Sequence, residues 1–582
     1  MSFEIPSDYD QVTFQQGQKL VKNNAPEDFG VSLDFFNGDH WQGGDGWPHA
    51  IDPQADGAAY LQSLIEEMFE SKNIVGEVVT RYLDGLFENT PEVGFAAPDE
   101  AMNEDDEVPD DLASQIDTAN GVLTRWMREK ELVDEAREAV KYAALGGRGY
   151  LRPYIPRGRR DERGRLSGSW EDVMRDVYVT AVKPTNAVIF QHPDTGRKLS
   201  VFHFEPGETL DIKDPNERDD RERVELGWVD PDTGETVIRI LNEGESPGDL
   251  RDTTVETDDG GEVDRLAMRQ MRIDLDGHLL LQEIDIDQLI TEQVRSSQRS
   301  FNLTKTMQTH NEISSGFSER VFFNAQPPGE FQQKEGGGRE WVPNEFTRGP
   351  FRTHFIQGTE TTDEMGNPEL EDPSMQVDEA DDPEVYLKGK RSKRKDILDE
   401  VSQTFVLMNE TTEASGRSRL IARHEFTKTL NKAVSDLTEI LRGATMSVTI
   451  MAETFGEGSA NVRDLDLPVE VYPDSGPLTP SEMKALDTMT ESGLMSMQTA
   501  LSRAGIHDIE AEMQRIKEEE STRTQRLIER AQLIKELVAA GSSLPGAAQV
   551  AGFTEEEARK LQTGFDGNLA QAVSETANGN PR

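Results

Sequence analysis

A long and strongly polar helix constrains this chain more than any other feature. The segment from Gln288 to Ser315 contains neither glycine nor proline and ends at Gly316, a residue suited to a left-handed C-terminal cap. At 1.5 Å per residue, this helix would be about 42 Å long. Its apolar residues are few, and most of the others are Gln, Ser, Thr and Asn. So narrow an apolar stripe predicts that the helix leans on identical neighbours in an assembly.

Two more helices follow after a long intervening segment. The first, from Asp396 to Glu410, is amphipathic and is predicted to pack along the polar helix. Its apolar face consists of Ile397, Val401, Phe405 and Met408. The second runs from Arg419 to Phe455, about 55 Å if unbroken, and Gly443 is the expected position of a kink.

A polar loop is predicted between these two helices, over residues 411–418. It has no large apolar residue to anchor it, so it is expected to project freely. The loop consists of Thr411, Thr412, Glu413, Ala414, Ser415, Gly416, Arg417 and Ser418.

The charge balance limits the classes of partner. The 582 residues include 111 Asp and Glu against 61 Lys and Arg, which gives a net charge of -50. A chain this acidic is a poor general clamp for nucleic acid, although an acidic wall can let DNA slide past. Adaptation to a saline cytoplasm is a compatible alternative. The absence of cysteine excludes disulfides and thiolate metal sites.

One basic cluster stands out against this acidity, directly after the acidic run 363–384. It consists of Lys388, Lys390, Arg391, Lys393, Arg394 and Lys395. The cluster predicts a contact with DNA or an acidic partner, and pairing with acids nearby or on a neighbouring subunit is the equally open alternative. On the polar helix, Arg295, Arg299 and Lys305 are further candidates for DNA contact, with salt bridges between copies as the alternative.

The rest of the chain is predicted as a mixed α+β protein. Aromatic residues within 33–48 (Phe35, Phe36, Trp41 and Trp47) indicate an ordered loop docked on a core. Helices are expected over 58–71, 73–87 and 121–145, and the glycines at 146, 147 and 149 indicate a turn into a strand over 150–155. Alternating residues predict a small β-rich part over 177–283, with two charged insertions over 211–225 and 243–264. Strand-like segments predict a β element within 317–390.

The C-terminal region is predicted to be helical. Thr479, Pro480 and Glu482 form a capping box that begins a helix packing Met483, Leu486 and Met489. A short helix, a long helix over 508–540 closed by Gly541, and a last helix starting at Thr554 are expected after it, and 563–582 is predicted to be disordered.

Candidate catalytic motifs are incomplete. His424 and Glu425 begin a zinc-protease motif, but Lys428 occupies the place of its second histidine. Asp274 and Asp276 before Gly277 lack the later ligands of a calcium loop. No phosphate-binding loop of the G-x-x-x-x-G-K-[ST] type and no G-x-S-x-G elbow occurs. The sequence therefore predicts no enzyme, no cofactor and no metal site. No run of apolar residues is long enough to cross a membrane, and the N-terminus lacks the order of a signal peptide.

Several segments together resemble the portal proteins of tailed double-stranded DNA viruses. These are FFNGDHW, SKNIVGEVVTRYLDGLFENTP, WMREKELVDEAREAVKYAALGGRGYLRPYI and VEVYPDSGPLTPSEMKALDTMTESGLMSMQTALSRAGIHDIEAEMQRIKEEE. The resemblance lies in the succession of segments and covers most of the chain. It implies a wing (1–284), a first stem helix (285–316), a clip (317–390), a second stem helix (391–410), a tunnel loop (411–418), a long wing helix with a strand (419–477), a helical crown (478–562) and a tail (563–582).

The resemblance also implies partners and a location. Such proteins form rings, usually of twelve subunits, at one capsid vertex of the virion after assembly in the host cytoplasm. DNA passes through the ring, the large terminase subunit docks on the clip, and head-tail adaptors later replace that motor; the major capsid protein surrounds the ring, and no membrane is involved. Two alternatives stay open from the residues themselves: a metal-dependent nucleic-acid enzyme, and a capsid scaffold or adaptor without a channel.

Overall fold

The computed structural model describes most of the chain. The described residues are 5–40, 69–98, 108–156, 168–204, 222–251, 254–256, 262–264, 269–316, 320–323, 329–334, 337–343, 353–356, 361–362, 368–369, 374–377, 382–410, 415–456, 462–474, 478–492, 494–503, 509–554 and 558–559. The fold is mixed α+β, as the sequence predicts. The chain divides into two compact units, one made of residues 1–414 and 418–475, the other of 415–417 and 476–582.

The first unit begins with helices. A 3-10 turn (Tyr9–Gln11) is followed by α1 (Phe14–Asn24), α2 (Phe29–Asn37), α3 (Ile74–Phe87), a short strand β1 (Glu92–Val93), α4 (Asp110–Glu129) and α5 (Leu132–Gly146). The helix predicted over 73–87 is confirmed, and the Asn73 side chain caps it by accepting a hydrogen bond from the Gly76 amide at 2.7 Å.

Two predictions in this region are wrong. Phe35 and Phe36 lie in α2 rather than in a loop, although Phe35 is fully buried in the core. The helix predicted over 121–145 is two helices, because the chain between α4 and α5 turns through the left-handed region at Glu131 (φ 54°). Trp41, Trp47 and most of the helix predicted over 58–71 lie outside the described residues.

Short strands and helices follow α5. They are β2 (Arg148–Tyr154), α6 (Trp170–Asp176), β3 (Tyr178–Val182), β4 (Ala187–Gln191), β5 (Lys198–Phe204), β6 (Arg223–Val229), β7 (Thr236–Asn242), α7 (Pro247–Arg251), β8 (Thr254–Glu256), β9 (Glu262–Asp264), β10 (Gln270–Ile273) and β11 (Gln282–Asp285). The glycine turn into β2 is confirmed, with Gly147 in the left-handed region (φ 84°). The β-rich character of 177–283 is also confirmed.

The strands form two main antiparallel sheets. One has the order β10-β7-β6-β5-β4, and α1 packs on it; the other has the order β11-β2-β3. The central strand β6 falls partly in a segment predicted to be a charged insertion. Its Glu225 is buried because the Arg152 guanidinium donates two hydrogen bonds to it, one of them at 2.9 Å.

The central helices come next. They are α8 (Glu292–Gly316), α9 (Pro383–Glu400), α10 (Phe405–Glu410) and α11 (Gly416–Phe455). Between α8 and α9 lie β12 (Arg320–Phe323), β13 (Gly329–Gln333), β14 (Arg339–Pro343), β15 (Thr353–Ile356), β16 (Thr361–Thr362), β17 (Pro368–Glu369) and β18 (Ser374–Val377). Strand β12 pairs with β15 and β18, and β13 pairs with β14. The described part of 317–382 is therefore a β element between two helices.

The return helix differs from its prediction. The helix α9 begins at Pro383, eight residues before the predicted stem boundary at residue 391, and ends before Val401 instead of continuing to Glu410. The break is at Ser402, which has a φ of 57°. The side chain of the next residue, Gln403, is fully buried and donates to the Val78 carbonyl at 3.0 Å.

Replacing Ser402 with glycine is expected to stabilise the subunit by about 0.5 to 1 kcal/mol. A non-glycine residue in the left-handed region costs about 1 to 2 kcal/mol, and part of the gain is lost to the greater freedom of glycine in the unfolded chain. Urea denaturation checks the value. The matched control is Ser392→Gly in the exposed interior of α9, which should destabilise by about 0.5 kcal/mol. A loss of stability in S402G would contradict the strain at this turn.

The helix α11 runs through Gly443 without a break. A Cβ at Gly443 would lie 2.3 Å from the Gln282 Oε1 atom, so the glycine leaves room for this side chain of β11 against the helix. The helix has no break at the position where the sequence predicts a kink. After α11, a 3-10 turn (Val462–Asp464) leads to β19 (Val469–Glu470), which pairs with β1.

The second unit is helical in its described residues. It contains α12 (Pro480–Glu491), α13 (Met497–Arg503), α14 (Ile509–Ala539) and α15 (Leu544–Ala551). The capping box at Thr479 and Glu482 is confirmed, as is the closure of the long helix at Gly541 (φ 92°). Helix α15 was not predicted, and Met483 is 56% exposed rather than packed.

Candidate functional site on the central helix pair

The helices α8 and α9 pack along each other and form the centre of the candidate site. Their contact is close at Gly389, where a Cβ would lie 3.3 Å from the Thr304 methyl carbon. The basic cluster lies on α9, and the three other cations predicted to touch DNA lie on α8. The burial of each of these side chains therefore decides which cations are available to a partner.

The inward face of α8 is polar. Four of its side chains, spaced three or four residues apart, are at most 1% exposed: Arg295, Gln298, Asn302 and Thr306. This spacing places them in one row along the helix. We call this row the polar seam. It runs beside the segment 70–75, which leads into α3 and supplies backbone groups as hydrogen-bond partners.

Gln298 satisfies three backbone groups at the start of α3. Its Oε1 accepts hydrogen bonds from the amides of Ile74 (3.1 Å) and Val75 (3.3 Å), and its Nε2 donates to the Lys72 carbonyl (2.7 Å). The first amides of a helix have no partner within the helix. Gln298 therefore caps α3 from a distance of more than 220 residues in sequence.

Asn302 and Thr306 continue the seam. The Asn302 Oδ1 accepts from the Lys72 amide at 3.2 Å, and its Nδ2 lies 3.0 Å from the His40 Nδ1. The Thr306 hydroxyl accepts from the Glu70 amide at 3.2 Å and donates to the Asn302 carbonyl at 2.9 Å. Side chains of α8 thus replace the apolar contacts that a helix usually uses to hold its place.

Arg295 closes the seam at the N-terminal end of α8. Its guanidinium donates to the Ser32 hydroxyl (2.7 Å) and the Ile290 carbonyl (3.1 Å), and forms ion pairs with Asp28 and Glu292. Arg295 is predicted to contact DNA, but in this subunit its side chain is buried and hydrogen-bonded to groups of the same chain.

The polar seam also changes the argument for an assembly. The sequence predicts that α8 is too polar to be held by its own subunit, yet its polar residues are hydrogen-bonded within that subunit. The buried apolar residues Val294 and Phe301 add to this attachment. The polarity of α8 therefore does not by itself require identical neighbours.

Arg299 and Lys305 lie beside the seam and are partly exposed. The Arg299 guanidinium pairs with Glu292 at 3.1 Å and lies over the Phe35 ring. The Lys305 ammonium pairs with Glu70 at 3.3 Å. Exposed pairs of this kind hold their partners weakly, so both cations keep the ability to meet an anion.

The basic cluster on α9 divides into paired and unpaired cations. Three lysines pair with acids of the same helix at spacings of three or four residues: Lys388 with Glu384, Lys393 with Asp396 and Lys395 with Asp399. Within the described part of the chain, no hydrogen bond or ion pair engages Lys390 or Arg391. Arg394 is partly buried and has a partner.

A second basic segment, at the start of α11, was not predicted from the sequence. Residues 417–435 contain five Lys and Arg and a single acid, Glu425. A charge count in a sliding window would have found it. Arg419 and Arg423 are buried, the latter over the Phe405 ring at 5.1 Å, and Lys432 pairs with Asp287. Lys428 is exposed.

The predicted tunnel loop is shorter at its C-terminal end than the sequence suggests. The helix α11 begins at Gly416, so Gly416, Arg417 and Ser418 belong to its first turn. Ser415 precedes the helix and is exposed. Residues 411–414 lie outside the described residues.

No protein-family model and no curated protein matches this sequence. Any functional conclusion therefore depends on the chain itself. Among the residues that the structure describes, no helix is long and apolar enough to span a bilayer. In the same part of the chain, no three His, Asp or Glu side chains are grouped to hold a metal ion.

Proposed function

We propose that this protein is the portal of a tailed double-stranded DNA virus, a ring at one capsid vertex through which the genome is packaged and ejected. The observation that supports this most is the order of the central elements. A long helix leads into a β element, and a second helix returns and packs along the first. After a break at Ser402 and the short helix α10, a helix of 40 residues follows. The family plan implied by the sequence resemblance has the same succession.

The far half of the helix pair supports an assembly. Met307 on α8 and Val385 and Leu387 on α9 are 39%, 64% and 41% exposed. The polar seam does not reach Val385 or Leu387, so the subunit leaves these side chains in water. Identical neighbours around an axis would cover them. The terminase large subunit, the head-tail adaptor and the major capsid protein are the expected further partners.

Imaging of the purified protein by negative-stain electron microscopy tests the proposal. The expected result is a ring with a central hole wide enough for duplex DNA. A monomer at every protein and salt concentration would overturn it. Metal-dependent cleavage of DNA by the pure protein would instead support the nucleic-acid enzyme, and an assembly without a hole would support the scaffold or adaptor.

Lys390 and Arg391 are the cations best placed to meet passing DNA, because α9 offers them no partner of their own. The double substitution K390E/R391E is expected to weaken binding of duplex DNA. The slope of log affinity against log salt should fall by about one unit for each phosphate that is no longer neutralised. Affinity measured at several salt concentrations checks this.

The matched control is K393E/K395E, which changes the charge of the same helix by the same amount. Each of these lysines must first leave an exposed ion pair with an acid of α9, which costs about 0.2 to 1 kcal/mol, so its contribution to DNA binding is expected to be smaller by that modest amount. Equal effects of the two double substitutions would show that only the net charge of α9 matters and would reject a specific role for Lys390 and Arg391.

A further inference from the structure

His40 is a buried histidine whose two ring nitrogens both have partners. It is 7% exposed. Its Nε2 lies 3.0 Å from the Phe35 carbonyl, at the end of α2, and its Nδ1 lies 3.0 Å from the Asn302 Nδ2 in the polar seam. The ring therefore connects α2 to the inward face of α8.

Backbone groups fix which atoms donate and which accept. The Lys72 amide can only donate, so the Asn302 atom 3.2 Å from it must be the oxygen. The nitrogen of Asn302 then faces His40 and can only donate, which makes the His40 Nδ1 an acceptor. The proton of the neutral ring must therefore be on Nε2, which donates to the Phe35 carbonyl.

Protonation of this ring would break the arrangement. A proton on the His40 Nδ1 would point at the amide nitrogen of Asn302, so two donors would face each other. Turning the Asn302 amide over would not repair this. Its oxygen already accepts from the Lys72 amide and from the Gln298 Nε2 at 3.0 Å, and both of those donors would then face a nitrogen.

We propose that His40 is a pH-sensitive latch on α8: neutral, it holds the polar seam together, and protonated, it loosens α8 from the segment 70–75. The proposal goes beyond the portal assignment and does not depend on it, since every group in it belongs to one subunit. Its consequence is that mild acidification changes how the central helix is attached to the N-terminal elements.

The direction of titration agrees with this geometry. Burial lowers the pKa of His40, while the Phe35 carbonyl, the Asn73 side chain and the charge of Asp39 act in the opposite sense. The unfolded chain, with an ordinary histidine pKa of about 6.5, binds the proton more readily than the folded one. The contribution of the neutral ring is therefore present above about pH 6.5 and is lost as the pH falls through the lowered pKa.

The other charged groups around His40 are mostly in ion pairs. Besides Asp39, the charged side chains on the elements that contact His40 include Asp34 on α2, Glu70 and Lys72 before α3, and Arg299 and Lys305 on α8. Burial, and after it the charge of Asp39, raises the pKa of Asp34. Lys305 pairs with Glu70, Lys72 with Glu77, and Arg299 with Glu292. Histidine is the only residue type among them whose ordinary pKa lies near 6.5.

Hydrogen exchange measured by mass spectrometry on the full chain tests the latch. With labelling times adjusted for the intrinsic effect of pH on exchange, the segment 70–76 should open about tenfold more often at pH 5.5 than at pH 7.5. A factor of ten corresponds to about 1.4 kcal/mol, the net value of one hydrogen bond. His40→Gln should remove this pH response, and His278→Gln, at an exposed histidine, should keep it.

Asn302→Asp provides a test that does not depend on removing the histidine. A carboxylate beside the His40 Nδ1 stabilises the imidazolium and still accepts from the Lys72 amide, so the pH response should reverse and the segment should open less often at pH 5.5. An unchanged pH response in H40Q, or the wild-type direction in N302D, would each overturn the proposal.

Discussion

Replacing Gln298 with alanine is expected to lower the free energy of unfolding of the subunit by about 2 to 4 kcal/mol. The substitution removes the acceptor of the Val75 amide and one of the two partners of both the Ile74 amide and the Lys72 carbonyl, which also bond each other at 3.0 Å. The side chains of Ile74 and Val75 are fully buried, so water does not easily replace the missing acceptor. Each buried polar group left without a partner costs about 1 to 3 kcal/mol.

Urea denaturation of wild-type and Q298A protein measures this loss. The matched control is Gln293→Ala, which removes the same side chain from the exposed side of α8 and should change stability by less than about 0.5 kcal/mol. Hydrogen exchange adds a local reading, because the amides of Ile74 and Val75 should lose protection first. Equal stability of Q298A and Q293A would mean that the seam does not hold α8 in place.

The order and type of most elements could be predicted from the sequence. The helix at 73–87, the capping box at Thr479 and the strands between 177 and 283 follow from local periodicity and capping chemistry, which are properties of neighbouring residues. The breaks at Glu131 and Ser402 could not be predicted in the same way. Neither position has a glycine or proline, so no local signal in the sequence marks the left-handed conformation found at each.

The polar seam could not be predicted because it is made of long-range contacts between side chains and backbone. Hydrophobic periodicity assigns a row of Gln, Asn and Thr to the solvent side of a helix. Here that row is buried because it lies opposite the first amides of α3, which donate hydrogen bonds to Gln298. Strand β6 was not predicted for the same reason. Its charged Glu225 suggests a surface loop until Arg152, 73 residues earlier, is seen to neutralise it.

The basic cluster was found from the sequence, but its division into paired and unpaired cations was not. Spacing along a helix already indicates that Lys388 and Lys395 can reach Glu384 and Asp399, four residues away. The burial of Arg295 depends instead on its contacts with Asp28 and Ser32, which lie more than 260 residues earlier in the sequence and could not be predicted from spacing. Burial therefore separates cations that hold the subunit together from cations that face a partner.

Replacing Arg295 with alanine is expected to lower the free energy of unfolding by about 2 to 4 kcal/mol. The guanidinium is 1% exposed, and its removal leaves the fully buried Ser32 hydroxyl without its donor. Breaking a buried ion pair from one side costs about 3 to 5 kcal/mol. A smaller loss than this is expected for R295A, because the Asp28 and Glu292 side chains are more than half exposed and are hydrated once the guanidinium is gone. Urea denaturation of the purified variant measures the loss.

Arg299→Ala is the matched control, four residues further along α8 and paired with the same Glu292. Its ion pair is partly exposed, so the expected change is below about 1 kcal/mol. The comparison separates two roles for Arg295. If it held the subunit together, R295A would lose stability before any DNA is present. If it contacted DNA, R295A would be as stable as R299A and would differ only in DNA binding, which would mean that its buried contacts contribute nothing to folding.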